Sequence, residues 1–142
     1  MWSNVTFNYI VILYKKRFSY LAVKEGTIRL VNGNTNLQGR LEIYHNNTWG
    51  TICDDSFDIL DANVACRQLG FSSAINYANS FYNGQASGKI WLDDLHCSGF
   101  ESSLIDCYHR GWGAHNCKHS EDIGISCYNG IINPFYCYLS YH

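Results

Sequence analysis

The chain has 142 residues, 46% of them apolar and 15% aromatic, which allows one packed domain with flanking sequence and excludes wholesale disorder. Only 15% are charged, and the net charge of −2 hides an uneven layout: Lys15, Lys16, Arg17 and Lys24 face only Glu25 in residues 1–26, whereas 27–128 hold six basic and eleven acidic groups, a net of −5. So acidic a stretch excludes generic nucleic-acid binding, which draws on Lys and Arg to neutralise phosphates.

Residues 1–26 read as a leader of unclear structure. The apolar run 9–14 is too short for a secretory signal, and Lys15-Lys16-Arg17 follow it instead of preceding it. No run approaches the 18 or more apolar residues of a membrane span. The expectation is a fragment or an imperfect gene model. Ile28-Arg29-Leu30-Val31 then reads as a short strand closed by the turn-forming Asn32-Gly33-Asn34. Residues 39–45 alternate apolar and polar, as a half-buried strand should, and Asn46-Asn47 turns the chain into the partner strand 48–53. One helix follows, with Asp61 as N-cap, Ala62, Ala65 and Leu69 on one face, Cys66 beside that face, and Gly70 at the stop. Ser, Asn and Gly clusters make 71–88 a long loop. Residues 89–92 read as a strand running into Asp93-Asp94, 101–106 as a helical turn, and 123–127 as the closing strand. The aromatic, uncharged 129–142 form a tail.

Seven cysteines stand at 53, 66, 97, 107, 117, 127 and 137. That density belongs to oxidised, extracellular proteins, and the lack of any CxxC pair weakens zinc-ribbon and thioredoxin-like readings. Leaving one cysteine out and pairing six allows about 105 arrangements, so spacing alone selects none. The sequons Asn4-Val5-Thr6 and Asn46-Asn47-Thr48 fit a secreted glycoprotein.

Trp49-Gly50-Thr51-Ile52-Cys53-Asp54-Asp55, the segment from Asp61 to Gly70, and Ile90-Trp91-Leu92-Asp93-Asp94-Leu95-His96-Cys97 resemble a scavenger receptor cysteine-rich (SRCR) domain. So does His119-Ser120-Glu121-Asp122-Ile123-Gly124-Ile125-Ser126-Cys127. The resemblance spans roughly 28–128, placing the domain at 27–128. It implies a compact α+β fold, a curved antiparallel sheet cradling one helix, with three disulfides. The family's eight-cysteine group carries extra cysteines where this chain has Gln38 or its neighbours and Phe71-Ser72, so the six-cysteine group A is implied. The pairing carried over is Cys53–Cys117, Cys66–Cys127 and Cys97–Cys107. Cys137 falls outside it and is expected as a free thiol or the link of a dimer.

Three acidic pairs, Asp54-Asp55, Asp93-Asp94 and Glu121-Asp122, are remote in sequence, but the implied disulfides draw their segments together. Clustered carboxylates repel unless a cation lies between them, and hard oxygen ligands suit calcium. Similar domains bind calcium at positions matching Asp54, Asp55 and Glu121, with a second site matching Asp93 and Asn116. A His/Cys group (Cys107, His109, His115, Cys117, His119) suggests zinc only if its cysteines are unpaired, and reads better as loop histidines. Paired carboxylates, or Ser102, Ser103 and His109, could be read as catalytic, but no nucleophile elbow, cofactor loop or metalloprotease helix is present. Enzymes in the resembled family carry their chemistry in other domains. Trp91, Trp112, Tyr82, Arg110 and Lys118 could form a ligand surface; Trp49 and Trp91 read as core, and Trp112, Arg110 and Lys118 as the exposed contacts. The expected function is a non-enzymatic extracellular module recognising proteins or polyanions with calcium. The alternatives are an accessory domain of an extracellular oxidase or protease, or a spacer in an adhesion receptor.

Overall fold

The computed structural model describes residues 22–79 and 85–130. A six-stranded sheet is built around β2 (Gln38–His45). The start of β2 pairs with β6 (Ile123–Tyr128), its middle with β1 (Ile28–Val31), and its end with β3 (Thr48–Ile52), all antiparallel. One strand with three successive partners curls the sheet. β3 continues to β5 (Lys89–Leu92) in a parallel pair, and β4 (Ser73–Asn79) lies antiparallel beside β6. The sheet is therefore rich in antiparallel pairs but not purely antiparallel.

The β2–β3 turn closes as its residues dictate. Asn46 and Asn47 have φ of 46° and 60°, the doubly positive conformation of a type I′ hairpin, which asparagine tolerates better than other side chains. Helix α1 (Ile59–Gln68) is capped three residues before the expected position. The N-cap is Asp58, whose carboxylate accepts from the Leu60 and Asp61 amides. Asp61 is instead the third helical residue, and its carboxylate accepts from the Asp58 amide at 2.7 Å. Two aspartates three apart thus form a reciprocal capping box, and the nearer one to the apolar run is not the cap. At the far end Gly70, at φ 88°, lets its own amide reach Arg67 O and that of Phe71 reach Cys66 O, both at 2.9 Å. These are the two hydrogen bonds of a glycine-terminated helix end.

The expected loop 71–88 contains β4. Its Ser- and Asn-rich composition carries little strand signal, but β6 supplies a hydrogen-bonding edge, and Asn63 on α1 accepts from the Ala74 amide at 2.8 Å. Partner, not propensity, makes this strand. The expected turn at 101–106 is shorter, a 3₁₀ turn over Leu104–Asp106; another covers His119–Glu121.

The core lies between sheet and helix, with Leu41, Ile43, Ile52, Val64, Leu92, Leu95, Leu104, Ile123 and Ile125 all buried. The alternation in β2 does not leave its polar face open. Glu42 is buried too, clamped by Arg29 at 2.7 Å and Arg40 at 2.9 Å. Trp49 belongs to that outer face and not to the core: it is half-buried under the Arg29 guanidinium, 4.0 Å from its ring centre. Trp91 is core, with its indole N–H donating to Thr48 O at 3.0 Å. The sulfurs pair Cys53–Cys117, Cys66–Cys127 and Cys97–Cys107. The second of these staples α1 to β6. Glu25 and Gly26, assigned to the leader, are bonded to the domain: Glu25 to His45 and the Asn46 amide, Gly26 to Tyr44 and Gln68. Asn4, Tyr82 and Cys137 lie outside the described residues.

Candidate metal centre

The end of β3 delivers the first two carboxylates. Cys53 is fully buried, donates its amide to Leu92 O, and is tied by disulfide to Cys117. Asp54 and Asp55 follow immediately, just outside the core. The Asp54 amide donates to Glu121 O at 2.9 Å, so the Cys53 and Cys117 segments run side by side. Glu121 reaches back from the 3₁₀ turn, where one carboxylate oxygen accepts the Lys118 amide at 2.7 Å. Ligand oxygens of Asp54, Asp55 and Glu121 all lie within 4.8 Å of one another. Calcium–oxygen bonds of 2.3–2.6 Å span oxygens up to about 5 Å apart, so the three fit around one ion. Burial, then the charges of Asp93, Asp54, Glu121 and Asp94, raise the pKa of Asp55 above the ordinary carboxylate value. The cluster is electrostatically unfavourable by itself, and its hard donors suit a hard cation.

The second pair sits at the end of β5. Asp93 is fully buried, with one oxygen accepting the Asp94 amide at 2.7 Å. Asp94 takes a positive φ of 49° and accepts from the Ser56 hydroxyl at 2.9 Å. Arg110 enters here: its Nη1 lies 3.4 Å from Asp93 Oδ2, Asp94 Oδ2 and Asn116 Oδ1 alike. Asp93 and Asn116, which the family resemblance matches to one site, thus both reach the Arg110 guanidinium, which lies between them. Asp122 leaves the acidic face altogether. It is buried against the His119 ring at 3.1 Å and accepts the Ala86 amide, tying down the chain before β5.

Trp112 is not a freely exposed contact. It lies half-buried on the core, stacked on His45 with ring centres 3.9 Å apart and planes 5° from parallel, with Trp91 and His109 edge-on. Lys118 is exposed beside the acidic face; Arg110 is half-exposed but turned into it. His109 is half-buried, its Nδ1 accepting the Gly111 amide at 3.0 Å, and burial lowers its pKa. No hydrogen bond joins it to Ser102 or Ser103 among the described residues. Cys107 and Cys117 are in disulfides, which leaves the His/Cys group without thiolates for zinc. Asn46 is exposed on the hairpin turn.

The family model of the scavenger receptor cysteine-rich domain matches residues 31–128. The chain belongs to that family. The third SRCR domain of murine neurotrypsin is 44% identical, with a TM-score of 0.65 over 71% of this chain and 94% of that one. The dimeric form of the SRCR domain of mouse MARCO is likewise 44% identical, with a TM-score of 0.59 over 78% and 97%. Lysyl oxidase homolog 4 of Homo sapiens is 54% identical over 91 residues, 64% of this chain. The chain spans only 12% of that relative's length.

Proposed function

We propose that this SRCR domain is a non-catalytic, extracellular binding module of the six-cysteine group A, which recognises protein or polyanionic ligands with the help of one bound calcium ion. The observation that carries the reading is the convergence of Asp54, Asp55 and Glu121 within 4.8 Å beside a disulfide. A bound cation would supply positive charge and open coordination positions to a ligand carboxylate, sulfate or phosphate, which reconciles a net-negative domain with anionic ligands. The chain's part is to hold the three carboxylates: the Cys53–Cys117 link and the Asp54–Glu121 backbone bond keep their segments in register. Three disulfides in so small a domain support an oxidising, extracellular setting.

The test is calorimetric titration of calcium into wild type, Asp55→Ala and Glu121→Ala, with a ligand array run in calcium and in chelator. Wild type should take up calcium with a dissociation constant on the order of 10⁻⁴–10⁻³ M, and both variants should lose that uptake and the calcium-dependent ligands. Absence of calcium heat in wild type removes the metal from the reading. A second reading, an accessory domain of an extracellular oxidase, is favoured by the 54% identity to a lysyl oxidase homolog. Sequencing the full transcript decides it: a catalytic domain in the same open reading frame supports it, and a collagenous stalk or membrane span supports the receptor.

A further inference from the structure

We infer that Arg110 is the resident cation of the second acidic site, so that the domain takes a single divalent ion, at Asp54–Asp55–Glu121, and excludes one from Asp93–Asp94–Asn116. This deepens the calcium reading and rests on it for the first site only. One nitrogen, Arg110 Nη1, stands 3.4 Å from oxygens of three side chains that come from two segments of the chain. An ordinary paired arginine engages one carboxylate, as Arg29 does with Glu42 at 2.7 Å. Arg110 instead sits at the centre of a donor set, where a metal would sit. Its backbone is placed there: the Arg110 amide points to Asp93 O at 3.4 Å, and the Gly113 amide donates to Trp91 O at 2.9 Å. Asp93 explains the need. Its carboxylate is fully buried, the Asp94 amide satisfies one oxygen, and the other faces Arg110. A buried carboxylate demands a cation, and a tethered guanidinium supplies it at every calcium concentration. The charge of Arg110 is then compensated by its own neighbours, and anion recognition falls to the metal site and Lys118.

Calcium titration of wild type, Arg110→Gln and Arg110→Gln/Asn116→Ala reads the stoichiometry directly. The expected result is one ion per chain in wild type, two in Arg110→Gln, and one again in the double variant. Two ions in wild type, or no more ions in Arg110→Gln than in wild type, overturns the inference. No ion in wild type with one in Arg110→Gln, lost again in the double variant, sinks the first-site reading while leaving Arg110 in its role. Should Arg110→Gln fail to fold, side-chain NMR of the wild type decides. The Arg110 guanidinium resonances should stay in place as calcium saturates the protein, while the Asp55 and Glu121 amides shift. Arg110 resonances that move with calcium to the position of a free arginine overturn the inference.

Discussion

Asp61 is the residue whose sequence signal and structural role diverge most. Its position before an apolar run suggested a cap, yet it is buried, and accepts the Asp58 amide at one oxygen and the Cys97 amide, 36 residues away, at the other, both at 2.7 Å. It joins the helix start to the Cys97–Cys107 loop. Burial raises its pKa from 3.8 to about 6, so the folded state holds the proton more tightly than the unfolded chain. The sign follows: the stabilising increment is full below pH 3.8 and is lost as pH rises through about 6. Asp61→Asn abolishes that titration and sets an amide N–H₂ against a backbone donor. Its destabilisation relative to wild type should therefore be about 1 kcal/mol larger at pH 5 than at pH 7 by chemical denaturation. Equal destabilisation at both pH values would place the titration elsewhere. Glu101, half-buried, is the opposite case. Backbone amides of the 98–101 turn lead in lowering its pKa to about 2, so its contribution disappears only in strong acid.

Among the elements, two glycines of the family-like segments serve different ends. Gly50 in β3 is a matter of space: a Cβ there would stand 2.4 Å from the Trp91 ring and 2.8 Å from Lys89 O. The glycine lets β5 pair closely with β3 while Trp91 lies across it. Gly70 at the end of α1 is a matter of backbone, at φ 88° with nothing within 4 Å of an added Cβ. Gly70→Ala should cost about 1–2 kcal/mol, the strain of one left-handed residue, and Gly50→Ala more, because neither backbone nor indole can withdraw without breaking the β3–β5 pair. Urea denaturation of both variants checks the order; a Gly50→Ala protein as stable as Gly70→Ala would show that the sheet gives way easily. β4 marks the limit of element-level reading. Its residues have weak strand character, and the bonds that order it come from β6 and Asn63.

At the scale of the molecule, two disulfides close long loops, with partners 64 and 61 residues apart, and the third joins residues 10 apart. Loop-closure entropy makes each long link worth roughly 3–5 kcal/mol, and the short one less. Cys66→Ala/Cys127→Ala should therefore destabilise more than Cys97→Ala/Cys107→Ala, and more again because Cys66–Cys127 ties α1 to β6. Equilibrium denaturation ranks them. Calcium acts on the same scale. At concentrations near its dissociation constant and above, it should raise stability by about a kcal/mol, and Asp55→Ala and Glu121→Ala should remove the increment. In chelator Asp55→Ala should be at least as stable as wild type, since it relieves carboxylate repulsion, whereas Glu121→Ala also gives up the bond to the Lys118 amide. An Asp55→Ala protein less stable than wild type in chelator would show Asp55 to be structural, not metal-directed.

The strands of the hairpin, the helix, its glycine stop and the three acidic pairs were legible in the sequence because each depends on neighbours a few residues away or on residue types with few uses. The disulfide pairing came from likeness to a family, since spacing alone permits about 105 arrangements. What tertiary structure decided was partnership. It made Asp58 the cap and Asp61 a buried bridge, recruited β4 to an open edge, moved Trp49 to the outer face under Arg29, and set Arg110 among three oxygens. Apart from the local Asp58 cap, these outcomes rest on groups far along the chain: Asp61 on Cys97, β4 on β6, Trp49 on Arg29, Arg110 on Asp93. A sequence states which charges must be compensated, and only the folded chain states by which partner.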